Sequence, residues 1–227
     1  MSIEDRSLLL LGEEKLDKLR KAKVVVIGLG GVGGSAAEAL ARSSLGEMVL
    51  IDGDEVDPSN LNRQLLYTQA DVGNPKSLTA GFRLKSINPD LKVATLQKMV
   101  DEEFFSYADF TDASYVVDAI DDVQGKLAIA KYCLSHDVPL IVSLGMANRL
   151  DPGKVRIMKL NQTYNDPLAK KLRHVYREVG LDISKITVAA SIEEPLVRGV
   201  TPASMMMVPS SAGLTIAYHV ISALVNK

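Results

Sequence analysis

Several residues in this sequence have the types and spacing to grip a nucleotide. Gly28, Gly30 and Gly33 in "GLGGVGG" (28–34) match G-x-G-x-x-G between an apolar run and a helix-like run. Missing side chains there allow a tight turn and let phosphate approach backbone N–H groups at a helix N-terminus. Asp52 follows at a distance suited to ribose hydroxyls. A glycine turn with a carboxylate serves NAD and ATP alike, so the motif alone does not choose between them. Further on, "SNLNRQ" (59–64) offers Asn60, Asn62, Arg63 and Gln64, and Asp54, Lys76 and Asp121 add charge. Hydride transfer needs a nicotinamide pocket and a proton-transfer group. A triphosphate needs cations around its outer phosphates and a carboxylate for Mg²⁺. Arg63, Lys76 and Asp121 all fall near the carboxyl edge of a parallel sheet, which favours the triphosphate.

The elements that must position these groups alternate. "KVVVIG" (23–28), "EMVLID" (47–52), "LKVATLQ" (91–97), "YVVDAI" (115–120) and "PLIVSLG" (139–145) read as strands, with helical segments between them. That alternation predicts an α/β fold: a doubly wound, mostly parallel, Rossmann-like sheet with helices on both faces. Leu16 and Leu19 share one side of a helix over 13–22. The long loop 53–75 has a length that goes with function. Asn74 and Pro75 read as the N-cap and first position of the helix after it. Beyond Gly145 the pattern changes to an added strand at "GKVRIMKL" (153–160), a helix in "DPLAKKLRHVYREVG" (166–180) and a strand at "KITVAA" (185–190). These form a C-terminal, antiparallel extension, and 191–211 reads as an irregular loop facing the site. Residues 1–227 are one domain, with 1–145 the nucleotide-binding core and 146–227 a substrate-facing elaboration.

In order and spacing, "VVVIGLGGVGG", "LIDGDEVDPSNLNRQ", "VGNPK" and "VVDAIDD" resemble the ubiquitin-activating-type adenylating superfamily, the ThiF/MoeB/HesA group. The resemblance implies ATP and Mg²⁺, used to activate a carboxylate. It places Gly28, Gly30, Gly31 and Gly33 at phosphate and Asp52 at ribose. Asp54, Asn60, Arg63, Gln64 and Lys76 stand around the triphosphate, and Asp121 serves Mg²⁺. "EDRSLLLLGEE" resembles the segment that donates an arginine to the neighbouring subunit's site; Arg6 holds that position, implying a homodimer.

The second half is similar to the tRNA threonylcarbamoyladenosine dehydratase branch, through "INPD", "SLGMANRLDPGKV", "NDPLAKKLR", "IEEP" and "MVPSSAGL". That branch cyclises the threonylcarbamoyl group on the adenosine beside the anticodon, so tRNA is the implied substrate. Met146 and Ala147 depart from the usual alanine and glycine. The zinc-binding CxxC pairs of sulfur-carrier activators are missing, yet activation of a sulfur-carrier glycine, a non-catalytic nucleotide-binding scaffold and a sulfur-transfer protein partner stay as alternatives. An activated carboxylate with a tethered ureido group needs no enzyme nucleophile. On the helix over 166–180, Leu168, Leu172, Val175 and Val179 form an apolar stripe. Lys170, Arg173 and Arg177 share another face, either solvated or touching the tRNA backbone.

The remaining composition is restrictive. A net charge of −2 makes the molecule as a whole no attractant for nucleic acid. The single cysteine, Cys133, excludes an internal disulfide and reads as a packing residue. With no signal-peptide core, it points to the cytoplasm. "AGLTIAYHVISALV" (212–225) is too short for a bilayer and reads as a buried helix. His136, His174 and His219 lack metal-ligand spacing, and Glu193 and Glu194 are either a solvated turn or groups that position substrate.

Overall fold

A computed structural model of the protein describes residues 3–197 and 202–226. Its seven strands form one sheet in the order β3-β2-β1-β4-β5-β7-β6. β1 (Lys23–Ile27), β2 (Glu47–Ile51), β3 (Lys92–Leu96), β4 (Tyr115–Asp118), β5 (Leu140–Ser143) and β7 (Thr187–Ser191) run parallel. β6 (Val155–Lys159) pairs antiparallel with β7 at the edge. The expected doubly wound sheet with an antiparallel extension is therefore present.

The β-branched runs form strands because both faces of the sheet are covered. Val24, Val26, Met48, Leu50 and Val117 join one cluster with α3 (Gly31–Arg42), α4 (Lys76–Ile87) and α7 (Met207–Val225). Val25, Ile27, Val49, Ile51 and Val116 turn the other way, onto Phe104, Phe110 and α5 (Val123–Ser135). A third cluster joins α5 to α6 (Pro167–Glu178) through Leu127, Leu172 and Tyr176. α1 (Asp5–Leu11) and α2 (Glu13–Lys21) precede β1, with Leu16 and Leu19 buried as their spacing predicts.

Boundaries differ from expectation in places. Pro75 is the N-cap of α4 and the helix starts at Lys76, one residue later than read. A proline that caps needs no N–H, and Thr79 Oγ1 instead donates to the Pro75 carbonyl (2.9 Å). α7 begins at Met207, not Ala212. The "loop" to 211 is thus partly helix, and residues 198–201 lie outside the described residues. With that added length, α7 is, among the described residues, a helix long and apolar enough to cross a membrane by length and composition. Half of it is buried, and it packs along α3, where Ser35 Oγ meets Ser210 Oγ at 3.1 Å.

On α6 the buried face is Ala169, Leu172 and Tyr176. Of the expected stripe, Leu172 is buried, Leu168 and Val175 are half-buried against the same cluster, and only Val179 is exposed. Tyr176 is placed inward because its hydroxyl donates to the Lys126 carbonyl (3.0 Å), which gives the polar end of a large ring a partner.

The junction of β4 and α5 holds an ion pair with both side chains fully buried, Lys126 Nζ to Asp118 Oδ1 at 2.8 Å. Removing one buried partner strands the other charge. Lys126→Met is expected to cost about 3–5 kcal/mol by urea unfolding, and Asp118→Leu combined with Lys126→Met to cost less. A single variant unfolding at the wild-type midpoint would show that the pair does not secure this junction.

Candidate active site

β1 and β4 are neighbours from which the chain winds outward in opposite directions, and the crevice outside their carboxyl ends is where such sheets bind ligands. The glycine turn sits there. The Gly28 N–H donates to Ile51 (2.8 Å), and its φ of 87° is one that L-residues rarely adopt. A Cβ at Gly28 would lie 2.7 Å from the Ala119 carbonyl, and one at Gly33 would overlap the Gly28 oxygen. A Cβ at Gly31 would meet Pro209 of α7 at 2.9 Å and the Arg63 carbonyl at 3.1 Å. Gly30 differs: the nearest atom to a Cβ there is Gln64 Nε2 at 3.7 Å. Gly28, Gly31 and Gly33 are small so that strand, helix and α7 can close up; Gly30 leaves an opening. Gly30 is also the N-cap of α3, with no side-chain cap, so the first N–H groups of that helix face the opening.

Asp52 holds this turn in place. Its carboxylate accepts the N–H of Leu29 (2.6 Å) and of Asp54 (2.8 Å). Burial pushes its carboxyl above the ordinary range, against the pull of those two N–H groups and of Lys76. The Tyr67 hydroxyl donates to the Leu29 carbonyl (3.0 Å), fastening the long loop to the turn. That loop is closed at its neck, where the Lys76 N–H donates to the Asp54 carbonyl (2.9 Å) and Val56 N–H to Asn74 (2.9 Å).

Within it, the Asn60 carbonyl accepts Arg63 N–H and Gln64 N–H, and its Oδ1 accepts Asp57 N–H (3.2 Å). Lys76, itself buried, reaches Asp54 at 2.8 Å. Arg63 Nη1 donates to the Ser59 carbonyl (2.8 Å) and to Asn62 Oδ1 (3.0 Å). Gln64 is buried beside Gly30 with its Oε1 unpartnered. The Gln64 atom that faces the open glycine is Nε2, an amide donor placed to meet a phosphate or ribose oxygen. The residues present therefore fit a nucleotide.

Asp121 is exposed beyond β4, while Asp122 caps α5 through Gly125 N–H (2.6 Å). Among the described residues no group of three or more His, Cys, Asp or Glu could hold a metal ion. A cation beside Asp121 would have to share phosphate oxygens.

Arg6 is exposed on α1, and the neighbouring Glu4 is fastened to Arg20 at 2.7 Å. Arg20 lies where Leu19 O accepts Gly46 N–H (3.0 Å), just before β2, at the amino edge of the sheet. Arg6 and the glycine turn of the same chain are thus at opposite edges. Cys133 is buried, and desolvation pushes its thiol up to about 12.

The loop after β5 is built around Arg149, a residue the sequence did not single out. Buried, it donates to the carbonyls of Gly145, Asn165 (2.9 Å) and Glu193 (3.2 Å) and lies 3.7 Å from Asp166. Glu193 Oε2 accepts Leu150 N–H (3.0 Å) and Asp151 N–H (2.9 Å), which makes it a turn-former, while Glu194 is exposed. On α6, Lys170 and Arg177 are exposed. Arg173 instead turns back, its Nη1 donating to the Thr163 carbonyl (3.0 Å) and hydroxyl.

Residues 4–225 match the model of the ThiF family. The chain belongs to the ThiF family. Among ThiF relatives, the tRNA threonylcarbamoyladenosine dehydratase of Bacillus subtilis is 38% identical over 97% of this chain and 94% of its own length. The Escherichia coli dehydratase is also 38% identical, over 72% of this chain and 61% of its own. The crystal structure of that E. coli enzyme, TcdA, with ATP superposes with a TM-score of 0.88 at 31% identity, covering 99% of this chain and 97% of that one. Both parts of the resemblance read from the motifs are borne out.

The glycines give a test of the geometry. Gly33→Ala is expected to lower the thermal midpoint by roughly 10 °C or more or to abolish soluble expression, because the clash is with backbone. Gly30→Ala should melt near wild type while losing affinity for a fluorescent ATP analogue. Equal melting losses at the two positions would contradict the open face assigned to Gly30.

Proposed function

We propose that this ThiF-family chain is an ATP-dependent dehydratase that cyclises the threonylcarbamoyl group of threonylcarbamoyladenosine in tRNA. The reading is carried by the near full-length match to an ATP-bound tRNA threonylcarbamoyladenosine dehydratase, whose fold covers 99% of this chain. It is supported by the open face of Gly30 at the uncapped N-terminus of α3. We read residues 1–145 as the nucleotide-binding core of one domain and 146–227 as its substrate-facing elaboration, in the cytoplasm.

ATP supplies the leaving group that a carboxylate lacks. In this reading Gly30 opens the turn and the α3 N–H groups to phosphate, Gly28, Gly31 and Gly33 let the backbone close up behind it, and Asp52 holds that turn beneath the ribose. Asn60, Gln64, Arg63 and Lys76 surround the triphosphate, with Asp54 orienting Lys76. Asp121 would hold Mg²⁺, which would offset phosphate charge, and Arg6 of the partner subunit completes the cationic wall. Arg63 and Lys76 offset the negative charge that would repel an incoming carboxylate. The acceptor is the ureido group of the same nucleoside: a bond forms from it to the carboxyl carbon, and one carboxyl oxygen departs. Tethered closures of this kind reach effective molarities of about 10⁵ M or more, so no protein thiol is required. Cys133, buried and with a raised pKa, is unsuited to carry an acyl group or to receive sulfur from a sulfur-transfer partner.

For tRNA, α6 enters the site from its N-terminal end. Asp166 caps α6 through Ala169 N–H (2.9 Å) and also accepts Gly145 N–H (3.1 Å), so the helix starts beside the carboxyl end of β5. Lys170 is exposed in its first turn and Arg177 two turns on.

Incubating the protein with Mg-ATP and tRNA carrying the uncyclised nucleoside should give, by nucleoside mass spectrometry, a product lighter by one water. Arg63→Ala should lower the rate by about a hundredfold or more. Adenylation of a sulfur-carrier peptide with unchanged tRNA would replace this reading by the sulfur-carrier one. Lys170→Glu and Arg177→Glu should weaken tRNA binding and flatten its salt dependence, whereas Arg173→Glu should also lower the melting temperature. Binding indifferent to the first two changes would return α6 to a solvated face.

A further inference from the structure

Two asparagines, Asn62 and Asn148, meet the same short stretch of chain. Asn148, in the loop after β5, donates its N–H to the Ala203 carbonyl (2.7 Å) and accepts the Ala203 N–H on its Oδ1 (2.7 Å). It holds a φ of 61° to do so, a conformation uncommon for a non-glycine residue. Asn62, in the loop after β2, donates from Nδ2 to the carbonyl of the next residue, Ser204 (2.9 Å). Successive Cα atoms are about 3.8 Å apart, so the two loops are joined through two adjacent residues. In the sheet, β2 and β5 flank β1 and β4. The Ala203–Ser204 pair of residues therefore bridges the two sides of the crevice that holds the glycine turn.

Asn62 has a second contact, its Oδ1 accepting Arg63 Nη1 at 3.0 Å. Its amide uses one end for the arginine and the other for the bridge. We propose that Asn62 is a positioning residue that couples the Arg63 guanidinium to the Ala203–Ser204 bridge, so that the side chain gripping phosphate is aimed from the substrate-facing half of the molecule. The inference rests on Arg63 binding nucleotide, as in the function proposed above. Asn62 is exposed and adds little to the fold; its contribution is to confine a long, flexible cation, which otherwise loses affinity to side-chain entropy.

The test is a double-mutant cycle read by affinity for a fluorescent ATP analogue, without tRNA, alongside turnover of tRNA. Asn62→Ala should weaken analogue binding roughly tenfold, with the thermal midpoint unchanged. In an Arg63→Ala background it should add nothing. Asn62→Asp keeps an acceptor for Arg63 but puts an oxygen against the Ser204 carbonyl. It should impair turnover as much as Asn62→Ala does, because the bridge is lost either way. Additive effects of Asn62→Ala and Arg63→Ala, or an Asn62→Asp enzyme turning over like wild type, would overturn the coupling. Tight analogue binding by a wild-type protein that leaves tRNA unchanged would instead overturn the substrate reading, while the affinity cycle still decides the role of Asn62.

Discussion

One carboxylate joins the two halves of the nucleotide crevice. Asp52, at the exit of β2, spends both of its oxygens on backbone N–H groups, one from the glycine turn after β1 and one from the start of the long loop. A buried charge is tolerated only where such donors compensate it. The position of each segment is consequently set by the other. Tyr67 then fastens the middle of the long loop to the same turn, and Lys76 closes its end on Asp54. Arg63 and Gln64 inherit their places from this frame, because the loop carrying them is tied at its neck and at its centre.

The parts legible in the sequence were those whose signal is local. A strand covered on both faces needs a β-branched run, and a phosphate turn needs glycines at fixed offsets; both stand in contiguous residues. The illegible parts depend on partners far along the chain. Lys126 sits in "GKLAIAKYC", where a lysine ordinarily marks the solvent side of a helix, yet it points inward because Asp118 ends the adjacent strand. Arg149 is in a stretch noted for other reasons, and its acceptors are carbonyls at 145, 165 and 193, which no local pattern joins. On α6 the stripe of Leu168, Leu172 and Val175 packs as its spacing indicates, and the departures at 176 and 179 have a related reason. Val179 is apolar but lies past the helix end, whereas Tyr176, with a polar tip, is inside because a carbonyl waits there for it.

The extension after β5 adds to the sheet rather than hanging from it. β7 pairs with β5 and β6 pairs with β7, so the strands that follow the nucleotide core extend its hydrogen-bond ladder. Loops at 145–151 and 193–197 are knit together by Arg149 and Glu193. This gives a hydrogen-bonded wall on the far side of the crevice. The basic residues of α6 stand behind it, their helix anchored at the same point by Asp166.

The contact between Gly31 and Pro209 has a temporal side. The phosphate turn is translated early, but the helix that covers it is translated roughly 180 residues later, and a ribosome adds about 5–20 residues each second. For many seconds a nascent chain has β1 and the glycines in hand with the outer flank of α3 bare. The turn is pressed into its final shape only once α7 has emerged and docked against it.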